Sequence, residues 1–174
     1  EIDLSIASMI ALTAVIFGTA YNAGLGMPIS MLIALFSGTL CGLFNGILVT
    51  QLQIPSIILT IGTLTLYRGI AQSLASDFSL GGYPSWFIGI DYRYIGIVPI
   101  PVIIFTVFAI VVGFFLSSTI YGKQLYLIGT NPQTAKYSGI KVDRIKLLLF
   151  TLSGLVCGIA GVLTTSRLAV ARFN

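Results

Sequence analysis

The sequence predicts an all-α fold, a polytopic bundle of about five membrane-spanning helices forming one transmembrane domain over 1–174. Three observations carry that expectation. Only 8% of the 174 residues are charged and 56% are hydrophobic, whereas a water-soluble domain carries about 25% charged residues. The mean hydropathy is +1.02. Five separate stretches also approach the length of about 20 mainly apolar residues that crosses a bilayer.

The spans are expected at 4–21, 27–50, 54–74, 102–118 and 147–166. "NAGLGMP" breaks the chain between the first two and "QLQIP" between the next two. Pro28 and Pro55 suit a first helical turn, where a missing N–H does no harm. The third span contains Arg68. A central arginine costs about 2.5–3.5 kcal/mol to insert, and each Leu or Ile returns about 0.3–0.6 kcal/mol. The Ile and Leu residues between Ile54 and Leu74 therefore roughly offset it. Arg68 reads either as a snorkelling or helix-pairing arginine or as the lining of a polar pathway. Asn45 likewise reads either as an interhelical hydrogen bond or as facing a substrate route. With Thr65 and Gln72, these two form the candidate pathway set.

Helices in lipid associate through close backbone contact. Gly38, Gly42 and Gly46 recur at every fourth position in "GTLCGLFNG", and Gly154 and Gly158 repeat the spacing in "GLVCG". Both patterns predict tight helix packing.

Charge sets the orientation. The loop at 119–146 carries Lys123, Lys136, Lys141, Arg144 and Lys146 against Asp143 alone. The loop at 75–101 has Asp77, Asp91 and Arg93. Cytoplasmic loops hold the Lys and Arg excess, so the first loop is inside and the second outside. Alternation then puts Glu1 inside and Asn174 outside. The outer loop also carries Phe78, Tyr83, Trp86, Phe87, Tyr92 and Tyr94. These form an interfacial aromatic belt or a docking surface for an external partner.

The basic loop contains "GTNPQTAKYSGIKVDRIK". Asn131 suits a helix N-cap and Pro132 the first helical position. Gln133, Thr134, Ala135, Lys136, Tyr137 and Ser138 are helix-compatible, and Gly139 is the residue expected just past a helix end. A short capped helix is therefore predicted between two spans. Asp143, near the start of the last span, suits the helix dipole. The loop either fixes topology and meets anionic lipid or docks a cytosolic partner.

Some function classes are excluded. The chain has no His and five scattered acids, which leaves no hydrolytic or metal centre. Cys41 and Cys157 lie in apolar stretches without metal or redox spacing. No enzyme, no cofactor and no nucleic-acid partner is expected. The absence of a carboxylate deep in a span weighs against an ion- or proton-coupled secondary transporter, which is the alternative reading. A start at Glu1 without a signal peptide and the ending "SRLAVARFN" read as the cut ends of a longer membrane protein.

"IGTNPQTAKYSGIKVDRIKLLLFTLSGLVCGIAGVLTTSRL" resembles the cytoplasmic loop and following helix of ribose-type ABC importer permeases. That class carries simple sugars, rhamnose and the furanosyl signal autoinducer-2. "EIDLSIAS" is similar to the family's GIDLS-small-GS segment, with Glu1 and Ala7 in place of glycines. "IPSIILTIGTLTLYRGIAQ" matches a family stretch that ends in an aromatic residue, Arg and Gly. The resemblance implies a full permease about twice this length with about ten spans. About two of those would precede Glu1 and about three would follow Asn174. It implies a bacterial inner-membrane location and a second permease subunit, identical or a sister chain. It also implies cytosolic ABC ATPase subunits and a periplasmic or extracellular solute-binding protein. Residues Asn131 to Gly139 would then be the coupling helix that meets the ATPase.

Overall fold

In the computed structural model the described residues are 1–75, 80–88, 90 and 93–171. Asp77, Phe78, Asp91, Tyr92 and Asn174 of the sequence reading lie outside them. Helix α1 spans Ile6–Ala20 and runs into a π-helical turn, Tyr21–Leu25. It is followed by α2 (Met27–Thr50), α3 (Ser56–Ala75) and the short α4 (Ser85–Ile88). Two-residue strands β1 (Tyr94–Ile95) and β2 (Val98–Pro99) pair antiparallel, Tyr94 opposite Pro99. Helices α5 (Ile100–Ser118), α6 (Ile120–Thr130), α7 (Pro132–Tyr137) and α8 (Val142–Leu168) follow. Among the described residues five helices are long and apolar enough to cross a membrane: α1 with its π turn, α2, α3, α5 and α8.

Helix ends and membrane ends differ in places. The first span continues past 21 because the π turn absorbs Gly24 at φ 86° before the chain breaks at Gly26, φ 74°. Pro28 sits in the first turn of α2. Pro55 stands one residue ahead of α3 instead, its carbonyl accepting from the Leu59 N–H at 3.1 Å. Helix α8 begins at Val142, five residues before the expected 147, because "VDRIK" continues the helix beyond its apolar stretch.

Helix α1 is the most enclosed element. Met9, Leu12 and Val15 pack with Tyr67 and Ala71 of α3 and Cys157 of α8. Helices α2 and α8 cross glycine to glycine. A Cβ added to Gly42 would stand 2.9 Å from the Cα of Gly154, and one added to Gly158 would stand 3.0 Å from the Cα of Leu35. No Cβ fits between backbones that close, and both glycine runs lie where α2 and α8 meet.

Near the C-terminal end of α1, Phe17 stacks on Tyr83 and tilts against Phe87, with ring centroids 5.5 and 5.3 Å apart. Ser166 of α8 donates to the Phe87 carbonyl, and Leu80 pairs with Ala171. Tyr83 and Phe87 are thus core residues and not belt aromatics, while Trp86 stays exposed. None of the residues of α5 is buried.

Candidate functional site

The site is built around α7. Asn131 Oδ1 accepts from the Gln133 and Thr134 N–H groups at 3.0 and 3.2 Å, two donors a bare helix start would leave open. Pro132 follows in the first turn. Ser138 closes the helix, and Gly139 turns the chain with φ 82°. That left-handed turn lets the Gly139 N–H reach the Lys136 carbonyl at 3.0 Å and the Ile140 N–H reach that of Ala135 at 3.1 Å.

A helix this short is unstable alone. Ala135 is buried with Ile128 of α6 and Val142 of α8, and Ile140 and Ile145 pack around them. Lys136 Nζ pairs with Asp143 Oδ2 at 3.0 Å, tying α7 to the first turn of α8. Both groups are half exposed, so the pair orients more than it stabilises. Lys146 pairs with Glu1. That hydrogen bond, with a second from Ser56, holds the Glu1 carboxyl below its ordinary range. A cleft of about 230 Å³ opens here, lined by Gln53, Ser56, Gln133 and Lys136 among others. The outer face of α7 remains free: Gln133 is exposed and Tyr137 is 90% accessible.

The route inward from α7 is continuous. Helix α7 is fixed to the start of α8 by the apolar cluster and the ion pair. Helix α8 is fixed to α2 by the glycine crossing and to α1 by Gly161, where an added Cβ would meet the Ile10 carbonyl at 2.9 Å.

The four candidate pathway residues do not form one group. Thr65, Arg68 and Gln72 lie together on the exposed face of α3, opposite its buried Thr60, Thr63, Tyr67 and Ala71. Thr65 Oγ1 donates to the Gly62 carbonyl of its own helix at 2.7 Å. Asn45 is fully buried behind that face. Its Nδ2 donates to Ser5 Oγ at 2.9 Å, and its Oδ1 accepts from the Tyr67 hydroxyl at 2.9 Å. Ser5 Oγ donates onward to Asp3 Oδ1 at 2.6 Å. The geometry is that of the interhelical hydrogen bond, joining the start of α1 to α2 and α3.

The sequence reading missed Asp3, Ser5 and Tyr67 as members of this polar ladder. The only local signal is the turn in which the Ser5 N–H also donates to Asp3 Oδ1 at 2.9 Å. Asn45→Leu should lower the stability of the full-length protein by about 0.6–1.7 kcal/mol for each interhelical bond lost. Tyr67→Phe removes the Asn45 bond together with the hydroxyl's contact to the Cys41 carbonyl at 3.0 Å, and should cost about 0.6–1.7 kcal/mol. Thermal unfolding in detergent checks both losses, and a leucine variant as stable as the parent contradicts the ladder.

Among the described residues no group of three or more His, Cys, Asp and Glu side chains stands close enough to hold a metal ion.

The family described as branched-chain amino acid transport system / permease component matches residues 1–174. The chain is 36% identical over 170 residues to the autoinducer 2 import system permease protein LsrC of Enterobacter sp. (strain 638), covering 97% of this chain and 49% of that protein. With the LsrC protein of Yersinia enterocolitica serotype O:8 / biotype 1B it shares 37% over 169 residues, 97% of this chain and 47% of the relative. With the autoinducer 2 import system permease protein LsrD of Escherichia coli O9:H4 (strain HS) it shares 35% over 179 residues, 98% of this chain and 54% of the relative. The chain spans about half the length of these curated relatives. No solved structure matches.

Proposed function

Because the chain belongs to the branched-chain amino acid transport system / permease component family, we propose that it works as the membrane subunit of a binding-protein-dependent ABC importer. It is a multi-pass permease component of the bacterial cytoplasmic membrane and not an enzyme. The solute we read is a simple sugar or sugar-like molecule. Similarity to autoinducer 2 import permeases over 97% of the chain supports that choice.

One observation carries the mechanism: α7 is capped at both ends, tied to α8 and bare on its outer face. A helix built in this way is suited to receive a push from a cytosolic ATPase. Closure of an ATPase dimer would move α7, and α7 would carry α8. The glycine crossing would pass the displacement to α2 and α1 as one body. Access to a central cavity, shared with a second permease subunit, would alternate as a result. Thr65, Arg68 and Gln72 would face the solute, with hydroxyl, guanidinium and amide groups suited to a polyhydroxylated molecule. Asn45 would hold the three helices together behind them. A solute-binding protein would deliver cargo on the opposite side.

The competing reading is an ion- or proton-coupled carrier. Its support is Asp3, whose Oδ2 is buried without a hydrogen-bond partner among the described residues. Vesicles containing the full-length permease, its candidate ATPase and its binding protein separate the two. Import predicts uptake of labelled solute that needs hydrolysable ATP and survives ionophores. Uptake without the ATPase, abolished by a proton or sodium ionophore, would establish the carrier instead.

A further inference from the structure

Helix α6 was not foreseen, and neither topology nor the mounting of α7 requires its outward face. Ile120, Tyr121, Tyr126 and Leu127 are 75, 60, 67 and 55% exposed. Lys123 and Thr130 are exposed with them, while Gly122 and Ile128 are turned inward. Ile120, Leu127, Lys123 and Tyr126 therefore share one exposed face of an eleven-residue helix, with Tyr121 to its side.

The position of α6 is fixed by the corner before it. Helix α5 ends at Ser118, Thr119 forms the turn, and α6 starts at Ile120. Thr119 Oγ1 donates to the Phe115 carbonyl at 2.6 Å and accepts from the Gly122 N–H at 3.1 Å. A Cβ at Gly122 would stand 2.6 Å from the Leu116 carbonyl carbon. The Phe115 and Tyr121 rings stack with centroids 6.4 Å apart. The first turn of α6 is thus pressed back against the last turn of α5, a helix long and apolar enough to cross a membrane.

From this we infer that α6 is an interfacial helix seated on the anionic cytoplasmic leaflet. Ile120 and Leu127 enter the acyl boundary, the tyrosines lie at headgroup level, and Lys123 reaches the phosphates. Two features favour lipid as the occupant. The surface is continuous with α5, none of whose residues is buried within the chain. Charge matches as well: Lys123, on this face, has no ion-pair partner among the described residues. Such a helix sets the level from which α7 projects, because Ile128 and Ala135 share one cluster. The inference depends on the membrane orientation and stands without the import reading.

The test places one nitroxide on the full-length protein in vesicles of phosphatidylcholine, with or without phosphatidylglycerol. Leu127→Cys carries the label, and Gln133→Cys on α7 provides the aqueous reference. Access to a water-soluble nickel chelate should be several-fold lower at 127 than at 133. Lys123→Gln should raise it in the anionic vesicles and leave it unchanged in the neutral ones. Ile120→Cys repeats the measurement if Leu127→Cys fails to fold. Equal access at 127 and 133 would overturn the proposal. So would shielding that appears only when the ATPase is added, which would make the face a protein surface. No effect of Lys123→Gln in anionic vesicles would overturn it too.

Discussion

Gly42→Leu should prevent the full-length protein from accumulating in a folded form. The first atom of the new side chain would lie 2.9 Å from the Gly154 Cα and 3.0 Å from the Gly154 nitrogen. Both are backbone atoms of a helix, so neither can rotate aside. Relief requires α2 and α8 to separate, and close approach is the main source of attraction between helices in lipid. Overpacking a core typically costs about 1–3 kcal/mol, and Gly42→Ala should fall in that range. Leucine adds a branched side chain at the same contact and should exceed it. Gly62→Ala is the control, since a Cβ there meets nothing within 4 Å. Membrane yield and unfolding temperature in detergent read the series. A leucine variant as stable as the parent would show that the crossing is not what joins the two helices.

Gly139→Val should impair transport more than folding. The residue has φ 82° and open space around its missing Cβ, so the whole cost is conformational. A left-handed conformation costs an L-residue about 1–2 kcal/mol, and a β-branched one suffers most. The turn brings Ile140 into the cluster with Ala135 and Val142. Straining it frays the end of α7 and leaves the α1–α2–α8 core untouched. Uptake should fall roughly tenfold, the factor that about 1.4 kcal/mol represents, while protein yield stays normal. Gly139→Asn should retain most activity, because Asn tolerates the left-handed region. A valine variant with normal uptake and normal ATPase association would contradict the role given to α7.

What the sequence discloses depends on whether the signal is local. Helix α2 is legible from residues 27–50 alone, because a glycine break and Pro28 mark its start and a polar break its end. The cap at Asn131 and the turn at Gly139 are local chemistry and therefore visible. The glycine runs show which faces pack, since each lies on a single helix. Hydropathy, in contrast, marks where a helix leaves the apolar layer and not where it stops. For that reason α8 starts at Val142 and not at 147. Helix α6 went unseen because "IYGKQLYLIGT" mixes Gly, Lys and Tyr with apolar residues over only three turns. Its corner depends on Gly122 meeting the backbone of α5. The ladder through Asn45 was hidden by distance along the chain, its partners lying 40 and 22 residues away. Thr65, Arg68 and Gln72 could be placed on one face by helical spacing. Only the packing of Tyr67 and Ala71 against α1 shows that the face points away from the bundle.

The most direct test of the account is crosslinking from Gln133→Cys, in membranes holding the full-length protein and its candidate ATPase. Gln133 lies on the exposed surface of α7, so the substitution leaves the cap and the apolar cluster intact. A crosslink to the ATPase whose yield changes with nucleotide is the predicted result. A cysteine that reagents in the cytosol label freely, and that never joins the ATPase in any nucleotide state, would reduce the basic loop to a topological anchor and contradict the coupling role of α7.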